Sequence, residues 1–296
     1  MFHGSIVALV TPMHADGSLD WDTFERLLDW HVEQRTKGLV AMGTTGESAT
    51  LDMDEHLKVI ERAVRYIDGR IPVIAGTGAN STSEALELTE GAARAGADAA
   101  LLVTPYYNKP SQEGLYLHHK YIAERVELPQ LLYNVPSRTA VDMSLETTAR
   151  LAKIPNIIGI KDATGDLARP SKLAALVDSD FLLISGDDAS SLAFLRAGGH
   201  AVISVTANVA PRAMSEVCEL IVAAEVERAQ AIDARLQSLH QRLFLEANPI
   251  PVKWALAQMG FGTDVLRLPL TSLAEEFHAP LREAMLENNL PFVNAK

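Results

Sequence analysis

A (β/α)8 barrel of the TIM type, with additional C-terminal helices, is the fold class the sequence predicts, and three observations predict it. Eight short, β-branched apolar runs recur through the first two thirds of the chain. Helical patterns alternate with them, and the runs are continuously apolar rather than alternating, as a parallel sheet covered on both faces demands. After the eighth run roughly 90 residues remain without a strand signal, far more than one closing helix requires.

In chain order the runs are SIVALVTP from Ser5, GLVAMGTTG from Gly38, IPVIAGTG from Ile71 and AALLVTPYY from Ala99, then PQLLYNVP from Pro129, IIGIKDATG from Ile157, FLLISGDD from Phe181 and AVISVTAN from Ala201. Between the first two, DWDTFERLLDWHVEQ puts Phe24, Leu27, Leu28 and Val32 on one helical face. Between the third and fourth, STSEALELTEGAARAGA opens with a capping-box spacing, Ser81 to Glu84, ahead of Leu88, Ala92 and Ala95. A doubly wound open sheet would usually stop at fewer strands, so eight units favour closure. Helical patterns around 225–245, 250–260 and 271–289 follow, with no Pro/Gly/Ser-rich linker before them. The expected organisation is a catalytic barrel over 1–224 and a C-terminal helical region over 225–296.

Composition narrows the function. With 296 residues, 48% of them hydrophobic, the chain can bury a large core. A net charge of −12 leaves no basic stripe, so nucleic acid and anionic membranes are not expected partners. The single cysteine, Cys218, excludes an intramolecular disulfide and a thiolate zinc cluster, and its helical setting reads as a packed thiol. The N-terminal stretch MFHGSIVALVTPM lacks the charge and apolar length of a signal peptide, and no later segment is apolar enough to span a bilayer. A cytoplasmic protein is expected.

Catalytic groups of such barrels sit at the C-terminal ends of strands and in the loops after them. Those positions hold Thr44 and Thr45, Gly76 to Asn80, Thr104, Tyr106 and Tyr107, Tyr133, Asn134 and Arg138, Lys161 and Asp162, and Gly186 to Asp188. Lys161 is the unusual one, because it ends an apolar strand and a buried charge is costly unless paired or neutralised. Burial favours the neutral amine, and a neutral amine attacks carbonyls to form a Schiff base. A structural ion pair with Asp162, Asp187 or Asp188 explains the same position equally well, so both readings stay open at this level. Tyr106 and Tyr107 could simply cap the barrel, Arg138 could belong to a surface loop, and GTTG could be only a turn. No Walker, HExxH or GxSxG pattern and no Cys/His cluster is present, and GTGAN is weak evidence for phosphate. The nine histidines are scattered, and His31, His56 and His240 read as solvated or satisfied helix residues rather than metal ligands. Neither a metal nor a cofactor is expected.

A resemblance separates these alternatives. GTTGESATL (43–51), PVIAGTGANST (72–82), VTPYYNKPSQEGLYLH (103–118), LYNVPSRT (132–139), IGIKDATGD (158–166), SGDDAS (185–190) and NPIPVKWAL (248–256) resemble the 4-hydroxy-tetrahydrodipicolinate (dihydrodipicolinate) synthase family in order and over nearly the whole chain. The resemblance implies a class I aldolase-type lyase that condenses pyruvate with L-aspartate 4-semialdehyde on the route to diaminopimelate and lysine. It makes Lys161 the Schiff-base lysine and Thr44, Tyr107 and Tyr133 a proton-relay triad, hydroxyls being able to donate and accept at once. By the family pattern Tyr107 serves the neighbouring subunit's site, which implies at least a dimer, with a homotetramer usual. Thr45 matches recognition of the pyruvate carboxylate, Arg138 that of the semialdehyde carboxylate, and Gly186 and Ile203 the lining of the pyruvate pocket. Ser48, Ala49, His56, Asn80, Glu84 and Tyr106 match a feedback pocket for L-lysine, although Glu84 also fits the capping box and His56 could be merely solvated. Met53 stands where lysine-sensitive relatives usually carry a polar residue, which implies weaker inhibition. Asp162 replaces the family's usual glutamate, a minor departure. N-acetylneuraminate lyase and the 2-keto-3-deoxy sugar-acid aldolases share the barrel and lysine, but Arg138 argues against their polyhydroxylated aldehydes. A barrel that only binds carboxylates would lack the nucleophile or a relay hydroxyl, and all four groups are present.

Overall fold

The computed structural model describes residues 2–293. Eight parallel strands close a barrel in sequence order: β1 (Gly4–Ala8), β2 (Gly38–Ala41), β3 (Val73–Gly76), β4 (Ala99–Val103), β5 (Gln130–Asn134), β6 (Ile157–Asp162), β7 (Leu182–Ser185) and β8 (Ala201–Ser204), with β8 returning to β1. Each apolar run of the sequence overlies one strand. The reason these runs are apolar on both faces of the strand lies in the two surfaces they bury. Ile6, Val40, Ile74, Leu101, Leu131, Ile184 and Ile203 fill the barrel interior together with Tyr133. Their chain neighbours Val7, Leu39, Val73, Ala100 and Val202 face the surrounding helices, following the period of two of a strand. Fully burying each large aliphatic side chain contributes about 1.5–3 kcal/mol.

The helix Trp21–Glu33 starts at Asp20, whose side chain accepts from the Thr23 N–H. It buries Phe24, Leu27, Leu28 and also His31, while Val32 is only partly covered. The helix Thr82–Ala95 starts after Ser81 as the spacing suggests, and buries Leu88 and Ala92. The capping box itself does not form. The Ser81 hydroxyl lies 2.9 Å from the Ser83 hydroxyl, and the Ser81 side chain makes no cap bond to the helix backbone.

Beyond β8, Pro211–Val222 leads into Val226–Arg242, Ile250–Gln258 and His278–Glu287. Leu236, Leu239, Ala255, Leu281, Ala284 and Met285 of these helices join the same buried cluster as Val7 and Leu39 of the barrel. The last three residues of the expected 225–296 region, and Met1, lie outside the described residues. Cys218 is a buried free thiol, pushed up to about 12 by burial and by the charges of Asp188 and Glu219. Among the described residues no helix is long and apolar enough to cross a membrane.

Candidate active site

Lys161 occupies the C-terminal end of β6, in register with Tyr133 of β5 and Ile184 of β7. It is 6% exposed, and its Nζ lies 4.3 Å from the centroid of the Tyr133 ring. Among the described residues it forms no ion pair, and the three candidate acids accept from other donors, Asp188 through one of its two oxygens. Asp162 accepts from Arg169 Nε at 2.8 Å and from the Thr164 N–H and hydroxyl. Asp187 accepts from the Ser190 N–H and hydroxyl. Asp188 accepts from the Val205 and Thr206 N–H groups. The structural ion pair that the sequence left open is therefore absent, and the amine sits against an aromatic face instead. Gly186 leaves the lysine its space, since a Cβ there would stand 2.8 Å from Lys161 Cε and 3.1 Å from its Cγ.

The hydroxyl pair follows β2. Thr44–Gly46 forms a short 3-10 turn, so GTTG is a turn, as its composition allowed, but one that presents side chains. Thr45 is buried and its hydroxyl accepts from Asn248 Nδ2 at 2.9 Å. Thr44 lines a cavity of about 410 Å³ together with Val103, Tyr106, Val135, Arg138 and Asn248; Ser48 and Ala49 also border it. Arg138 is on the short helix Pro136–Thr139 and donates through Nη2 to the Asn248 carbonyl at 3.2 Å, which fixes its guanidinium at the cavity. Lys161 and Tyr133 are not among the residues lining this cavity; they project from the strands, and Tyr133 shares the interior apolar cluster with Ile203. Tyr107 is not among the lining residues and is 90% exposed with φ +73°. Of Thr44, Tyr107 and Tyr133, only Thr44 is among the residues lining the cavity.

The residues matched to lysine feedback divide into two groups. Tyr106, Asn80 and Glu84 come together: burial and the Glu84 charge raise the Tyr106 phenol above its usual value, opposed by a hydrogen bond to the Asn80 backbone. The Asn80 carbonyl also accepts from Asn108. His56 is buried rather than solvated, and its Nε2 is bonded to the Gly76 carbonyl at 2.7 Å. Burial holds its imidazole below the usual value, so the ring is neutral, and among the described residues no hydrogen bond joins it to the other five. The glycines of GTGAN serve the backbone. A Cβ on Gly76 or Gly78 would stand 2.2 Å from the Met42 carbonyl oxygen or the Val103 nitrogen.

Four residues that sequence reasoning did not single out complete the surroundings. Arg169 holds Asp162, and Asn248 holds both Thr45 and Arg138. Glu47 and Lys253 form a buried pair at 2.6 Å behind the Thr44–Gly46 turn. A lysine inside the apolar helical run NPIPVKWAL was the available signal for that pair, by the same logic that marked Lys161.

Known proteins with this geometry agree with one another. The model of the dihydrodipicolinate synthetase family matches residues 1–288. A 4-hydroxy-tetrahydrodipicolinate synthase of Teredinibacter turnerae is 63% identical over 286 residues, 97% of this chain and 98% of that protein. The crystal structure of the chloride-inhibited dihydrodipicolinate synthase of Acinetobacter baumannii complexed with pyruvate superposes with a TM-score of 0.96 at 55% identity, covering 98% of this chain and all of that one. A dihydrodipicolinate synthase of Cyanidioschyzon merolae with lysine bound superposes with a TM-score of 0.95 at 38% identity, covering 97% and 98%. By sequence over nearly its whole length and by the shape of its barrel, the chain belongs to the dihydrodipicolinate synthetase family.

Proposed function

We infer that this chain condenses pyruvate with L-aspartate 4-semialdehyde through an imine on Lys161, giving 4-hydroxy-tetrahydrodipicolinate for diaminopimelate and lysine synthesis. The observation that carries this reading is a buried amine at the end of β6 that forms no ion pair among the described residues and lies against the Tyr133 ring. Such an amine is free to attack the pyruvate ketone, and loss of water gives the iminium. The iminium acts as an electron sink, so that a methyl proton leaves to the hydroxyl relay as the enamine forms; the enamine carbon then attacks the aldehyde, whose oxygen takes up a proton from the same relay. The amino group of the new chain displaces Lys161, closing the ring, so that one water leaves overall and the lysine is regenerated.

Thr44, Tyr133 and Tyr107 are the proton carriers in this reading, Thr45 holds the pyruvate carboxylate, and Arg138 takes the semialdehyde carboxylate with a bidentate fork. Gly186 and Ile203 bound the pyruvate pocket. The exposure of Tyr107 supports its use by a second copy of the chain, and hence a homo-oligomer, a tetramer by the family pattern. A cytoplasmic location belongs to the same reading. The test is borohydride reduction in the presence of pyruvate with mass mapping: the adduct is expected on Lys161 and absent in Lys161→Ala. Tyr107→Phe should keep the adduct and lose turnover, and mixing it with Lys161→Ala should restore part of the activity in hybrid oligomers. An adduct on another lysine overturns the assignment.

L-Lysine is inferred to bind beside Tyr106, Asn80 and Glu84, where the carboxylate of Glu84 is exposed to receive an ammonium group. Met53 offers a thioether in place of a hydrogen-bonding side chain, a loss of about 0.5–1.5 kcal/mol. Inhibition is therefore expected to be two- to tenfold weaker than in Met53→His. Lysine titration of both forms checks this, and no inhibition of either at millimolar lysine removes the pocket.

A further inference from the structure

The Thr44–Gly46 turn is gripped from the C-terminal helices at two points. Asn248 donates to the Thr45 hydroxyl, so that oxygen's own proton is left for another acceptor. Five residues further on, Lys253 Nζ reaches Glu47 Oε1 at 2.6 Å, with the side chains 2% and 0% exposed. Glu47 caps the turn in the left-handed region at φ +61°, which residues other than glycine adopt rarely, and its N–H donates to the Thr44 carbonyl. Its second carboxylate oxygen accepts from the Arg267 N–H at 3.1 Å. Arg267 is itself clamped by both oxygens of Glu55 and by the Gly17 carbonyl. Every oxygen of the buried carboxylate thus meets a donor whose place is set elsewhere.

Stability alone is a weak account of such a pair. Desolvation of two charges offsets much of their attraction, and neutral replacements of both partners are often tolerated, whereas removing one leaves an uncompensated charge. What the pair does fix is a conformation. The turn it holds carries the two hydroxyls placed next to pyruvate. We propose that Glu47 and Lys253 are positioning residues for the condensation, their ion pair holding the Thr44–Thr45 turn so that both hydroxyls face the bound pyruvate. The proposal rests on Lys161 as the imine-forming lysine, and it makes the C-terminal helices a working part of the site.

Two variants separate positioning from stability. Lys253→Met leaves Glu47 buried without a cation and should lower both the melting temperature and turnover. Lys253→Met combined with Glu47→Gln removes both charges, keeps an acceptor for the Arg267 N–H, and should recover most of the melting temperature. Turnover is measured per active site, the sites being counted by borohydride-trapped pyruvate at saturating concentration. In the double variant turnover per trapped site should stay at least tenfold below the parent, with KM for pyruvate raised more than KM for the semialdehyde. Parental turnover per trapped site, or equal shifts in both KM values, overturns the proposal while leaving the imine assignment standing. Failure to trap pyruvate on Lys161 in the parent overturns the imine assignment instead.

Discussion

Lys161 is legible in the sequence because it breaks an apolar strand, and the structure explains its freedom through residues that are not legible. Asp162 is adjacent in sequence, yet its carboxylate turns to Arg169, seven residues away in the following segment, and to Thr164. No spacing rule announces that choice, since it depends on where the loop after β6 carries the guanidinium. Glu47 and Lys253 are 206 positions apart and meet only in the folded chain. Gly186 makes the same point from the side of space. A methyl group there would press on Lys161 Cε and on Ala163 Cβ, both at 2.8 Å, well inside the roughly 3.5–4.0 Å at which carbon atoms rest. Gly186→Ala should therefore push the lysine stem out of its rotamer, with an overpacking cost of about 1–3 kcal/mol. The rate of adduct formation with pyruvate should fall at least tenfold, while the Arg138 contact to the Asn248 carbonyl stays as it is. A parental rate of trapping shows that the stem has other room.

At the scale of elements, strands were easier to read than helix ends. A barrel strand buries both faces, so its signal is a short unbroken apolar run, and all eight runs carry a strand. Even the polar end of each run had meaning, because β2, β5, β6 and β7 hand over to turns that carry Thr44, Arg138, Thr164 and Asp187. Helix starts depend on which way one hydroxyl rotates. Asp52, Ser111 and Ser144 each accept from the N–H three residues on, whereas Ser81, with the better sequence signature, faces Ser83. Glu84 is left exposed by that rotation, which is why one residue could match both a capping box and a ligand pocket. The loop after β4 shows the limit of pattern reading in another way. Tyr107 and Lys109 both adopt positive φ, and nothing in VTPYYNKPS requires it.

At the scale of the whole molecule, the buried histidines predict an acid lability that the active site does not explain. Of the five histidines buried on helices, three are held furthest below the usual value: His31 on the helix Trp21–Glu33, and His118 and His119 on Gln112–Ala123. His31 and His118 each use one ring nitrogen, toward Thr36 and Thr82, and leave Nε2 without a partner; both nitrogens of His119 lack one. Burial lowers His31 from 6.5 to about 3 and His118 to about 4, and burial together with the neighbouring His118 holds His119 well below 6.5. These rings stay neutral in the folded protein, while in the unfolded chain they take up a proton near pH 6.5. The unfolded state therefore binds more protons below that pH, and stability falls as pH drops from about 6.5 toward 4. At pH 5 a ring held at about 3 or 4, as His31 and His118 are, costs about 2 kcal/mol relative to pH 8, so these two cost about 4 kcal/mol, a large part of the 5–15 kcal/mol that holds a typical domain. Carboxylates held low by partners, such as Glu55 by Arg267, begin to matter only below their usual value of 4.5, so the two windows are separable. Urea unfolding at pH 8, 6 and 5 should show the midpoint falling well before the carboxylates titrate. His119→Leu, which removes a ring with two unsatisfied nitrogens at little change of volume, should reduce the fall between pH 8 and pH 5. A flat midpoint over that range in the parent, or a steeper loss in His119→Leu, contradicts the assignment of the lability to these rings.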